Sequence, residues 1–312
     1  LEEFYKVSCL QAGVQLDTAA SAGIKKSAGL AKSQKAPEAH NVEDNNDDAE
    51  EERSFVIATT KEQARATILF HLVWFMAGRS DVRPELVELL TQLLNEDIIP
   101  KLPRSSTYVS TLMEFLSKGD ETSGKIQVFD GKTFSSANVQ ALGELTGFET
   151  FAFTRDQVME SAIVCLEAFV TQNLLDVSDL VAAFSCEVVQ HSASCFDENE
   201  YVCRPHRGCV ESAENLRTLL LNSRNLISDS GGGKKKKKMR KRSFDAIELT
   251  PQLHGPSRLL LPTISRTLRT ELNGAPSFGS RAQYTSNSVK PLSQTLKVHL
   301  HDLYKASQDR LN

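Results

Sequence analysis

One run constrains this chain more than any other: "ATILFHLVWFMAG", Ala66 to Gly78, is apolar on every side of a helix. A helix with no polar face has to be enclosed by protein. Thr60 and Gln63 ahead of it match a capping box and fix its start, while Gly78 supplies a stop. The rest of the chain must therefore provide the elements that cover it. Pro84 suits the first position of the next helix, where Leu86, Leu89, Leu90, Leu93 and Leu94 share a face. Comparable stripes are Leu216, Leu219 and Leu220, and then Leu292, Leu296, Leu300 and Leu303. Residues 157–171 and 177–191 read as two further long helices.

Strand signals are confined to "KIQVFDGKTF", where Ile126 and Val128 alternate before Asp130-Gly131 and predict a hairpin over 125–134. One hairpin does not make a sheet. The expected fold class is all-α, an elongated bundle of long helices with one short β-hairpin. With 312 residues, 40% of them hydrophobic, the chain can build the core of one large domain or two small ones.

Charge is segregated behind a net value of -4. Acid gathers in Glu43 to Arg53 and base in "GGGKKKKKMRKR", Gly231 to Arg242. Such runs are solvated and cannot pay for a core. The expected organisation is a mobile, low-complexity acidic leader over 1–56, a helical region over 57–223, a flexible polybasic insertion over 224–243 and a helical continuation over 244–312. The basic patch is Lys234, Lys235, Lys236, Lys237, Lys238, Arg240, Lys241 and Arg242. A flexible surface insertion is the favoured reading; a nuclear-targeting or nucleic-acid role is the alternative, and it predicts binding that weakens steeply with salt.

Six cysteines in a chain of this length, without a signal-peptide pattern, point to reduced thiols in the cytoplasm or nucleus. The most apolar stretch, Ile68 to Ala77, is shorter than the roughly 20 residues that cross a bilayer, so no membrane partner is expected. The chain opens with Leu1 rather than Met, as a fragment or processed product would. Cys203, His206 and Cys209 in "YVCRPHRGC" are spaced like metal ligands, with Cys195 or His191 as the nearest fourth group. A zinc site needs four ligands, and spacing alone does not provide the fourth, so the structural reading is preferred and no metal is expected. His299 and His301 point to different sides of a helix, and Cys165 and Cys186 read as small core residues. No phosphate loop of standard spacing occurs.

Three segments, in order, resemble the histidine and phenylalanine ammonia-lyases. They are "GRSDVRPELVELLTQLLNEDIIPKLP" (78–103), "FDENEYVCRPHRGCVESAENLRTLLLNS" (196–223) and "TPQLHGPSRLLLPTISRTLRTELN" (250–273). The resemblance covers about 60–308, and the Arg-Pro-His form brings it closest to histidine ammonia-lyase. It implies a helical scaffold, assembly into tetramers whose sites draw on several subunits, and removal of ammonia from an aromatic amino acid. The reagent in that family is a self-made methylideneimidazolone group, formed by cyclisation of an Ala-Ser-Gly triplet. Laid on this chain, the triplet falls on Val109, Ser110 and Thr111, with β-branched residues on both sides of the serine. The closer chemical match, Thr122-Ser123-Gly124, sits beside the expected hairpin and reads as a strand-entry turn.

The other implied positions depart in the same direction. The family's Asn-Gly-Thr falls on Arg155-Asp156-Gln157, and its catalytic Tyr and carboxylate-binding Arg fall on Asp245 and Glu248. An arginine fork grips a substrate carboxylate and a glutamate repels it. Gln252 and His254 persist and read as helix-entry packing residues. The family's Tyr-Gly-x-Asn-Thr-Gly-Phe-Gly loop and its Thr-Asp-Asn-Pro are absent from the sequence. The resemblance therefore implies a degenerate, truncated member in which the methylideneimidazolone does not form. Such a pseudoenzyme would act as a structural or regulatory subunit, as a homo-oligomer or with an intact ammonia-lyase paralogue. The competing reading is an active histidine ammonia-lyase in which Ser110 or Ser123 still gives an electrophile and urocanate is the product.

Overall fold

The structure, a computed structural model, describes residues 1–17, 21–22, 24–25, 58–77, 82–105, 107–118, 126–131, 143–154, 158–226, 245–274 and 289–311. These residues are helical with no sheet, and only two isolated β-bridges occur among them. The helices are α1 (Glu2–Cys9), α2 (Lys61–Met76), α3 (Pro84–Glu96), α4 (Tyr108–Lys118), α5 (Gly147–Thr154), α6 (Val158–Val188), α7 (Arg207–Leu219), α8 (Asp245–Glu248), α9 (Thr250–Asn273) and α10 (Val289–Leu311). The chain divides into two compact units, Leu1–Leu166 with Thr267–Val289, and Glu167–Arg266 with Lys290–Asn312. The basic patch and Ser123 lie outside the described residues, as do Arg155, Asp156 and Gln157.

In the first unit α2 is the enclosed helix that its composition demands. Thr60 accepts from the Gln63 backbone at 3.3 Å and Gln63 Oε1 accepts from the Thr60 backbone at 3.1 Å, closing the capping box. Ile68, Leu69, Phe70 and His71, which together go round the helix, are all buried. Part of the cover comes from α1, which the sequence assigned to a mobile leader. Its Phe4 is buried edge-on to Phe70, with ring centroids 6.1 Å apart. Arg65 Nε also donates to the Val7 carbonyl at 2.6 Å. The eight residues of α1 hold one apolar contact face, too short a pattern for periodicity to register.

Helix α3 opens at Pro84, buries its leucine stripe and ends at Asp97, whose backbone is left-handed at φ 58°. The Asp97 carboxylate pairs with Arg65 at 3.0 Å and with Lys61 at 2.5 Å, tying that turn to α2.

Only residues 126–131 of the expected hairpin lie within the described residues. Asp130 and Gly131 do adopt the positive φ that an Asp-Gly turn requires, 61° and 64°. Val128, however, bridges to Pro100: Lys101 N donates to Gln127 O at 2.7 Å and Phe129 N to Ile99 O at 2.9 Å. The extended segment after α3 supplies the partner, and residues 132–134 of the expected return arm lie outside the described ones.

One correction concerns α6. The two long helices expected over 157–171 and 177–191 are one continuous 31-residue helix. The joining stretch "TQNLLDV" has neither Gly nor Pro, so nothing interrupts the backbone ladder. By length and composition α6 is apolar enough to cross a membrane, unlike the shorter Ile68 to Ala77 stretch, yet 61% of its most apolar window is buried within the protein. A core helix meets the same description.

The second unit packs part of α6 with α7, α9 and α10. Ala182, Cys186, Phe196, Leu216, Leu220 and Ile247 form one apolar cluster. Leu296 and Leu303 of α10 are buried, whereas Leu219 of α7 is exposed.

Candidate active-site positions

In the first unit, the backbone entering the triplet position is well anchored. Ile98, Ile99 and Leu102 are buried, and Thr59 donates to the Leu102 carbonyl through both its N–H and its hydroxyl, each at 3.0 Å. Val109, Ser110 and Thr111 then lie in the first turn of α4. Tyr108 and Leu112 turn inward and Ser110 is exposed. One carbonyl organises the turn: Thr107 O accepts from Ser110 Oγ at 2.8 Å, from Thr111 Oγ1 at 3.1 Å and from Thr111 N at 3.1 Å. The nitrogen that would have to attack the Val109 carbonyl is thus engaged in a helical hydrogen bond, and the side chains on both sides are β-branched. These residues do not fit a methylideneimidazolone.

The remaining described positions belong to the second unit. Glu248, at the implied carboxylate-binding position, is half-exposed and its Oε1 lies 3.1 Å from His191 Nε2; the other ring nitrogen faces the Ser192 carbonyl at 2.8 Å. Asp245 lies in α8. Gln252 is exposed rather than packed, whereas His254 is fully buried, so the packing reading holds for the histidine alone.

His254 belongs to a polar hub that sequence reasoning missed. Asp179, on α6, accepts from His254 Nδ1 at 2.7 Å, Ser212 Oγ at 2.7 Å, Asn215 Nδ2 at 2.9 Å and Arg258 Nη2 at 2.7 Å. Burial raises the Asp179 carboxyl, but the hydrogen bonds from His254, Asn215 and Ser212 and the Arg258 charge outweigh it and hold the group below the usual carboxylate range. Arg258 also reaches Asp176 at 2.9 Å and Glu211 at 3.2 Å. Arg310 of α10 approaches His254 Nε2 at 3.4 Å. Every Asp179 lone pair is used, so the hub joins α6, α7, α9 and α10 rather than offering a free base. An aspartate inside the apolar run "LLDVSDLVAAF" was the available signal.

The metal-like spacing also resolves into structure. Cys209 is buried in α7 against Gly255 of α9, while Cys203 is exposed. Gly208 sits equally close to the Gly255 backbone. The two motifs that carried the resemblance, around 204–209 and 251–255, are therefore the two sides of a tight helix crossing. Among the described residues no group of His, Cys, Asp and Glu could hold a metal ion.

Such a helical scaffold fits the class of protein that the three sequence segments resemble. The family model described as "Aromatic amino acid lyase" matches residues 18–277. The chain belongs to that family. It is 25% identical over 224 residues to a histidine ammonia-lyase of Caldanaerobacter subterraneus subsp. tengcongensis, covering 69% of this chain and 42% of that protein. It is 29% identical to "Histidine ammonia-lyase 2" of Fusobacterium nucleatum over 224 residues, 68% of this chain and 42% of the relative. The match thus spans well under half the length of these relatives. In fold, tyrosine aminomutase from Streptomyces globisporus superposes with a TM-score of 0.78 at 21% identity, covering 100% of this chain and 68% of that one. Histidine ammonia-lyase from Trypanosoma cruzi gives 0.74 at 19% identity, covering 99% and 63%.

Proposed function

We propose that this chain is a catalytically silent member of the aromatic amino acid lyase family, of the histidine ammonia-lyase type, acting by assembly with other chains. The observation that carries the reading is the first turn of α4. There Thr111 N donates to Thr107 O, and Ser110 stands between Val109 and Thr111 instead of alanine and glycine. Ring closure needs a sharply folded backbone that glycine permits and β-branched residues resist. Glu248 supports the same reading. By the resemblance, a carboxylate bonded to His191 stands where the family uses a cation for the substrate carboxylate.

The partners proposed are further copies of this chain or an intact ammonia-lyase paralogue, in a reducing compartment such as the cytoplasm. The chain would stabilise or regulate that assembly. The test is ammonia release from L-histidine, L-phenylalanine and L-tyrosine, together with co-sedimentation with an intact histidine ammonia-lyase. Release no faster than with heat-denatured chain, plus co-sedimentation, is the expected result. Ammonia production that scales with chain and is abolished by Ser110→Ala would overturn the proposal.

A further inference from the structure

The sequence contains one Asn-Gly step, Asn273-Gly274, and it falls at the end of α9 in the first unit. Both residues are exposed. Asn273 Nδ2 donates to the Arg269 carbonyl at 2.7 Å and Gly274 N to the Glu271 carbonyl at 3.3 Å, contacts that belong to the last turn of the helix. Sterics require the glycine: a Cβ at Gly274 would lie 2.6 Å from the Thr270 carbonyl oxygen, a backbone atom that cannot swing aside. The fold thus places directly after an asparagine the residue whose backbone nitrogen is least shielded. The same Glu271 carbonyl accepts from Trp74 Nε1 of α2 at 2.9 Å, and Trp74 is the one tryptophan of the chain.

We infer that Asn273 is a site of spontaneous covalent modification, in which the Gly274 nitrogen closes on the side-chain carbonyl carbon of Asn273. The N–Cγ bond forms and the Cγ–Nδ2 bond breaks, and ammonia leaves with the proton that Gly274 N gives up. Water then opens the cyclic imide. Attack at Cγ gives aspartate; attack at the backbone carbonyl carbon gives an isoaspartyl link, with one more methylene in the main chain. The two hydrogen bonds that must open lie in a terminal turn, where local opening costs little. Either product sets a carboxylate at the negative end of the α9 dipole, where a helix favours cations. The Glu271 carbonyl that holds Trp74 is part of that turn, so the modification loosens the end of α9 from α2. One ammonia is released per chain, without added amino acid and without Ser110, so the inference goes beyond the proposed function and does not rest on it.

The test is to hold the freshly purified whole chain at neutral and mildly alkaline pH, native and in urea, and to follow its tryptic peptide Thr270–Arg281 by mass spectrometry. Isoaspartate is assayed by methyl transfer from S-adenosylmethionine. Starting from the intact amide, native Asn273 should gain the mass of an amide-to-acid exchange within about tenfold of its rate in urea, because terminal turns open at free energies near zero. Conversion should rise with hydroxide and lead that of the peptides holding Asn222-Ser223 and Asn287-Ser288. Asn273→Gln should abolish it. Asn273→Asp, which stands in for one product, should shift Trp74 emission to the red with far-ultraviolet circular dichroism unchanged. A native peptide that stays intact while the unfolded one converts, or conversion no faster than at the two Asn-Ser steps, would overturn the site. Wild-type emission in Asn273→Asp would overturn its effect on α2.

Discussion

Gly208 of α7 and Gly255 of α9 meet backbone to backbone. A Cβ on Gly208 would run into the Gly255 carbonyl, lying 2.9 Å from its carbon, and one on Gly255 would come within 2.7 Å of the Cys209 nitrogen. The Cys209 Sγ also lies in the path of the second Cβ and could turn aside, but the backbone atoms could not. Gly208→Ala or Gly255→Ala should therefore force the helices apart and cost about 1–3 kcal/mol or more, read as a lower urea midpoint. A midpoint within error of wild type would show that the crossing is loose.

Asp179 is a buried anion of the second unit, satisfied by four donors. Asp179→Asn leaves Arg258 without its most buried counter-charge and sets an amide NH2, a donor, against two of the four donors that converge there. Breaking a buried pair from one side costs about 3–5 kcal/mol. Urea denaturation of the second unit's transition should show a loss of that order; a change under about 1 kcal/mol would mean that Asp176 and Glu211 suffice for Arg258.

Acid sensitivity should have two sources of the same sign. His71, fully buried among Phe75, Tyr108 and Phe153 with neither ring nitrogen hydrogen-bonded, is pushed down from 6.5 to about 3 by burial. Between those values the unfolded chain binds the proton and the folded chain does not, so stability falls as pH falls through that window. Asp179, held low in the folded state, adds a loss once the pH drops below the ordinary carboxylate range. Melting from pH 7 to 4 should show a steep decline that His71→Phe makes shallower. An equal slope in the variant would remove His71 from the account.

Glu248 is 49% exposed on its side chain, and its pairing with His191 is a surface contact. Glu248→Arg should change stability by less than about 1 kcal/mol. It should also fail to produce ammonia release, because restoring one cation does not supply the missing electrophile. Turnover in this variant would locate the defect at Glu248 alone.

The scaffold was legible where local rules decide it. Thr60 and Gln63 close the predicted capping box, and the leucine stripe of α3 is buried as its spacing requires. Local rules misled where tertiary structure decides. Residues 172–176 were left between two expected helices, yet they contain neither Gly nor Pro and the helix runs through them unbroken. The hub around His254 depends on residues from four helices, and no window of sequence contains them. For the triplet position the sequence named the residues, whereas the commitment of the Thr111 nitrogen to Thr107 emerges only in the folded backbone.

The most direct measurement is the intact mass of the purified chain, read to better than a dalton. If the α4 turn keeps Val109, Ser110 and Thr111 as ordinary peptide, the mass equals that of the unmodified sequence, and no ultraviolet absorbance appears beyond that of its aromatic residues. A mass lower by two waters would show that an electrophile forms after all, and would contradict the silent-lyase account at its centre.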